Sequence, residues 1–220
     1  MKSGDQRLLE EAYIKICEDI SGPLYFGRED LKSMWFSWLA HKKHEVCADG
    51  SVIIHDNVSL AERWMDVLPF NFKAVYGFFD CSKNKLTSLK GAPEFIAGTF
   101  ACDYNELETL EWAPSRVKGS FSVKGNKMRS FEGCPDIIEG HFNSMNCRFN
   151  SFKGCPDIIK GDFDCRGNYF TSLDGVPEFV GGEFMCYEFS DEEYRVFVRK
   201  RKYIEGKLEK DLDVDLGDFS

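Results

Sequence analysis

From Phe79 to Phe184 the chain repeats itself every 21 residues without an insertion or a deletion. The units read FDCSKNKLTSLKGAPEFIAGT, FACDYNELETLEWAPSRVKGS, FSVKGNKMRSFEGCPDIIEGH, FNSMNCRFNSFKGCPDIIKGD and FDCRGNYFTSLDGVPEFVGGE, and a sixth opens with FMCYEF. A fixed period of this length specifies a solenoid, because one such unit cannot bury its apolar side alone and must stack it on the next.

Each column of the repeat has a physical meaning. Phe79, Phe100, Phe121, Phe142, Phe163 and Phe184 open the units, and two residues on come Cys81, Cys102, Val123, Ser144, Cys165 and Cys186. Alternation with polar residues is the period of a short strand with one buried face. Asn84, Asn105, Asn126, Cys147 and Asn168 follow where the chain leaves the strand, and an amide there can satisfy backbone groups, so stacked units form an asparagine ladder. Leu86, Leu107, Met128, Phe149 and Phe170 return to the core, as do Leu89, Leu110, Phe131, Phe152 and Leu173. Pro93, Pro114, Pro135, Pro156 and Pro177 fix a return segment that need not be a full helix. Gly98, Gly119, Gly140, Gly161 and Gly182 are placed to turn the chain back into the next strand.

This pattern resembles that of leucine-rich-repeat proteins, with Phe100, Cys102, Asn105 and Leu107 carrying the likeness. More narrowly, FDCSKNKLTSLKGAPEF is similar to the short repeats of leucine-rich-repeat-like proteins encoded by tailed bacteriophages, and SVIIHDNVSL and LPFNFKAVYGF resemble their degenerate first rungs. The array is therefore expected to start near Val52. One departure is phenylalanine in place of leucine at the strand entry, and the position three before it (Ala97, Lys118, Glu139, Lys160) is not consistently apolar. The expected fold class is an α/β repeat: a leucine-rich-repeat-like solenoid with a parallel β-sheet on its concave face and a helical cap at each end. Residues 1–50 are assigned to the N-terminal cap, 51–189 to the solenoid, and 190–220 to a C-terminal capping helix and acidic tail.

Open solenoid ends need cover. Residues 6–21 place Leu8, Leu9, Tyr13, Ile16, Cys17 and Ile20 at helical spacing, and a second helix is expected from about Asp30 to His44 with Met34, Trp35, Trp38 and Leu39. At the far end Ser190 and Glu193 form a capping box, Tyr194, Phe197 and Val198 can cover the last rung, and Gly206 stops the helix.

No catalytic motif occurs. There is no GxSxG, HExxH or phosphate-cradling loop, and the glycines fall on the repeat period. The nine cysteines lack zinc-knuckle spacing. Cys81, Cys102, Cys165 and Cys186 read as small core hydrophobes, as do Cys134 and Cys155, and Cys147 fills the asparagine position. His41 and His44 read as a solvated helix end rather than half a metal site. The expectation is no enzyme, no cofactor and no metal. No secretory leader or span of about 18 apolar residues is seen, so a reducing cytoplasm, the host's if the protein is viral, is expected.

The residues alternating with the core columns form the expected binding face: Asp80, Asp103, Tyr104, Lys124, His141, Met145, Asp162, Asp164, Arg166, Met185 and Tyr187. Tyr104, His141, Met145, Met185 and Tyr187 are of the kinds that anchor interfaces. The face carries more acids than bases and the chain has a net charge of −9, which favours a partner protein with a basic or mixed surface and disfavours nucleic acid. Trp35, Phe36 and Trp38 exceed one helical stripe and form a secondary interface candidate, with core against the first rung the expected use of at least two. The resemblance implies a phage protein that binds and inhibits or sequesters a host protein, with antiviral defence proteins among the candidate targets. Two other classes stay open: capture of a small molecule or nucleotide near Arg28, Lys42 and Lys43, and self-association into homo-oligomers or a structural assembly.

Overall fold

The computed structural model describes residues 3–18 and 29–186. Every repeat contributes two short strands, and both families of strands stack into parallel sheets, making the chain a parallel-sheet solenoid. The first sheet runs Val52–Ile54, Phe72–Val75, Phe95–Ile96, Arg116–Val117, Ile137–Ile138, Ile158–Ile159 and Phe179–Val180, with His44–Val46 added antiparallel at its edge. The second runs Val58–Ser59, Phe79–Asp80, Phe100–Ala101, Phe121–Ser122, Phe142–Asn143, Phe163–Asp164 and Phe184–Met185. Registers are in step, Phe79 opposite Phe100, Phe100 opposite Phe121 and so on, as a repeat free of insertions requires.

The return segment is thus a strand, and no helix occurs in the described repeats. Its apolar signal is the column Val75, Ile96, Val117, Ile138, Ile159 and Val180, all fully buried β-branched side chains, which prefer extended backbone. The prolines one step earlier in each return are buried too. The glycines at the corner between the sheets are required by packing rather than by a left-handed φ. A Cβ on Gly119 would stand 2.6 Å from the carbonyl carbon of Gly98, because corner backbones stack directly and Gly119 N–H bonds Gly98 O at 3.0 Å.

The core between the sheets is a file of aromatic rings. Phe79, Phe100, Phe121, Phe142, Phe163 and Phe184 follow one another with centroids 5.0–6.1 Å apart. Burying each ring contributes roughly 2–3 kcal/mol, and each favourable ring pair adds about 1 kcal/mol. Beyond the leucines of the early rungs a second file takes over, with Phe131 on Phe149 at 3.9 Å and Phe152 on Phe170 at 4.0 Å, both nearly parallel.

The asparagine ladder is present in atomic detail. Asn105 Nδ2 donates to the carbonyls of Cys81 (3.1 Å) and Cys102 (3.0 Å), while its Oδ1 accepts from Leu86 N (3.0 Å), so one amide ties two rungs together. Asn126 repeats this with Cys102 O, Val123 O and Leu107 N, and Asn168 with Ser144 O, Cys165 O and Phe149 N. Cys147 fills the same place with a weaker sulfur, its thiol reaching Val123 O at 3.2 Å.

At the N-terminal end α1 (Ser3–Glu18) buries Leu9 and Ala12, and α2 (Glu29–Ala40) buries Trp35, Phe36 and Leu39. Phe36 and Trp38 stack on Phe70, at 6.1 and 6.3 Å. The second helix stops at Ala40, short of the expected His44, because residues 44–46 form a hairpin with Val52–Ile54 closed through Gly50 at φ +79°. The expected C-terminal capping helix and tail lie outside the described residues.

Two substitutions test the ladder by urea unfolding. Asn126→Ala strands backbone groups on two rungs and should cost about 2–3 kcal/mol. Cys147→Asn replaces a weak sulfur donor and acceptor with an amide and should gain about 1 kcal/mol; equal destabilisation by both would contradict the ladder's role.

Candidate functional site

The expected binding residues come together on and beside the outer face of the second sheet, since Phe and Cys columns face inward and positions between them face out. Asp80, Asp103, Lys124, Met145, Arg166 and Met185 are half-buried there, Asp164 is buried, and Tyr104 is 48% exposed. His141 and Asp162 sit at the corner preceding the strands. Tyr187 lies outside the described residues.

Much of this face is bonded to itself. Asp103 accepts from Ser122 Oγ (2.6 Å) and Lys124 N (2.9 Å), and burial nevertheless pushes its carboxyl above the ordinary value. Arg166 grips Asp164 side-on, Nε donating to Oδ1 at 2.8 Å and Nη2 to Oδ2 at 2.5 Å. His141 Nδ1 accepts from Asp162 N at 3.0 Å, and Asp162 Oδ1 from Glu183 N at 2.7 Å, so these two side chains extend the inter-rung bonding at the corner. The acids are therefore fixed in direction, and their surface is rigid.

Tyr104 is set by its backbone. It occupies a column of left-handed residues, Glu62, Lys83, Tyr104, Gly125, Asn146 and Gly167, just ahead of the asparagine ladder. Its ring lies over Gly125, where a Cβ would come within 2.6 Å of it, and Lys124 Nζ stands 5.6 Å from the ring centre. A glycine on the next rung thus makes room for the tyrosine.

Of the secondary candidates, Trp35 and Phe36 are buried and Trp38 is half-buried. Lys42 is committed to Asp56 (3.3 Å) and to Asn57 O (2.8 Å), and Arg28 lies outside the described residues.

Residues the sequence pattern did not single out lie exposed or half-buried elsewhere. On the outer face of the first sheet His55 stacks on Tyr76 at 5.0 Å, Tyr76 meets Phe95 at 5.6 Å, and Arg116 lies 5.8 Å over Phe95. A second left-handed column runs Gly91, Trp112, Gly133, Gly154 and Gly175, in which Trp112, at φ +67°, is the one residue with a side chain. That conformation costs an L-residue about 1–2 kcal/mol and glycine nearly nothing. The break in an otherwise constant glycine column was the signal available.

Burial raises the thiols of Cys81, Cys102, Cys134 and Cys155 well above the ordinary range, and that of Cys147 to about 11. No group of three metal-binding side chains, and no helix long and apolar enough to cross a membrane, is found among the described residues.

Compared with protein-family models, with curated proteins and with solved structures, the chain matches none.

Because thiolate is the reactive form, iodoacetamide at pH 8 should leave these five cysteines unmodified in the native protein and label them in urea, read by peptide mass spectrometry. Native labelling of Cys102 or Cys147 would contradict the packing.

Proposed function

We propose that this chain is a non-enzymatic, protein-binding solenoid of the leucine-rich-repeat-like kind, closed at its N-terminal end by α1 and α2. It captures a partner protein with a basic or mixed surface on the outer face of the second sheet. The observation that carries the reading is the posture of Tyr104: exposed, fixed by its left-handed backbone, seated over Gly125 and flanked by Lys124. An aromatic side chain ordered before binding loses little entropy on association, which is what makes an effective anchor. The fixed carboxylate of Asp103 beside it gives the partner's cations a stationary target, favouring specificity and encounter rate.

The likeness of the repeat to those of tailed-phage proteins makes a bacterial host protein the partner class, and occlusion or sequestration in the host cytoplasm the consequence. On this reading the solenoid contributes shape, and binding rather than catalysis is its activity.

Placing p-benzoylphenylalanine at position 104 and irradiating in host lysate should yield one discrete adduct, while the same label at Ile137, on the other sheet, yields none. Tyr104→Ala should weaken capture of that partner at least tenfold, the loss of an anchor worth about 2 kcal/mol. An adduct at 137 and not at 104 would move the interface, and an adduct of two copies of this chain would replace capture by self-association.

A further inference from the structure

Trp112 stands where every other described repeat has glycine. The substitution is expensive locally, as neighbouring geometry shows: a Cβ on Gly91 would lie 2.8 Å from Phe70 O, and one on Gly133 would lie 2.5 Å from Leu110 O. The side chain gives little back to the fold. The residue is 56% exposed, and among the described residues its ring makes no aromatic or cation contact. A bulky residue kept in a strained conformation, with its apolar surface in water, points to use at a site.

The indole walls a cleft of about 500 Å³ whose other lining includes Asp49, Asn71, Lys73, Lys90 and Glu94. The cleft crosses the return loops of the first rungs, away from the outer face of the second sheet. The carboxylate of Asp49 is held in place. Asp49 Oδ1 accepts from Ser51 N (3.0 Å) and Ser51 Oγ (2.6 Å), and these bonds hold its carboxyl below the usual value. Asn71 lies over Gly91, its Oδ1 3.3 Å from where a Cβ would be, so the bare glycine keeps the floor open between Asn71 and Trp112.

Two ammonium groups face two carboxylates, so the lining is balanced in charge. A phosphate or other anion would call for converging cations, and an apolar ligand for an apolar lining. What this set fits is a neutral, polyhydroxylated ring. Planar amide and carboxylate groups can pair with vicinal hydroxyls, and the negative face of an indole attracts the weakly positive C–H face of a pyranose. The volume is in the range of small-molecule sites.

We propose that the Trp112 cleft is a carbohydrate-binding site that stacks a neutral pyranose on the indole and holds its hydroxyls with Asn71, Asp49 and Glu94. This is independent of protein capture on the second sheet.

The test is saturation-transfer NMR of the full-length protein with methyl glycosides of glucose, galactose, mannose and N-acetylglucosamine and their β- and α-linked disaccharides, with AMP and inorganic phosphate in parallel. At least one glycoside should show transfer concentrated on the C–H protons of one ring face. Trp112→Gly, which takes a residue suited to the backbone, should melt no lower than the wild type yet lose the signal at least tenfold. Trp112→Phe should keep it in part, and Trp64→Ala, which alters an exposed tryptophan outside the cleft lining, should keep it fully. Absence of transfer to every sugar, a signal that survives Trp112→Gly, or binding of AMP in place of sugars would each overturn the proposal.

Discussion

The inter-rung hydrogen bond is the constraint on which everything else in this molecule rests. In the second sheet Phe79 N donates to Thr99 O, Phe100 N to Ser120 O, Phe121 N to His141 O and Phe142 N to Asp162 O, all at 2.8–2.9 Å. At the corner the direction reverses, Gly119 N donating to Gly98 O and Gly140 N to Gly119 O. Each strand is only two residues long in most rungs, so no rung could hold its shape alone. A stack bonded this way transmits register from rung to rung, and each column of the sequence must then satisfy the same local geometry in every unit. The phenylalanine file, the asparagine ladder and the two left-handed columns are consequences of that one condition.

The same condition explains why surface residues on successive rungs pair with one another. Lys83 with Glu62, Lys127 with Glu106, Lys153 with Glu132 and Lys160 with Glu139 are all ion pairs one repeat apart. Exposed pairs of this kind add little stability individually; their value lies in setting like columns against opposite charge, so that stacking does not align repulsions. A rigid, charge-patterned face with ordered side chains is the material from which recognition surfaces are made.

Periodicity made the solenoid, the inward Phe and Cys columns and the asparagine ladder legible, because each is a position where burial or backbone satisfaction admits few residues. The second strand was less so. Its outward neighbours vary from Phe95 to Arg116 to Ile137, and only the inward Ile and Val column reveals it. The left-handed column of Tyr104 was hidden for a different reason: at Tyr104 and Lys83 the backbone conformation is set by stacking and leaves no mark on residue type. The reach of α2 was overestimated because helical spacing continues into Lys43 and His44, while hairpin pairing with Val52–Ile54 takes precedence there. Which exposed residues meet a partner is the least legible of all, since a solvated position tolerates most side chains; the strained Trp112 is the exception, because glycine was the cheaper choice.

The direct test of this architecture is to remove chain by the period. Deleting residues 121–141, one whole unit, should leave a protein with native circular dichroism and a single cooperative urea transition whose slope falls by about a tenth, in line with the smaller surface exposed. Deleting residues 121–140, one residue fewer, leaves an extra residue in the tight corner between Gly119 and Phe142, breaks the inter-rung register at that junction, and should lower the transition midpoint well below that of the whole-unit deletion. If both deletions folded equally well, or if removal of the whole unit destroyed the fold, the stacked-register account would be wrong.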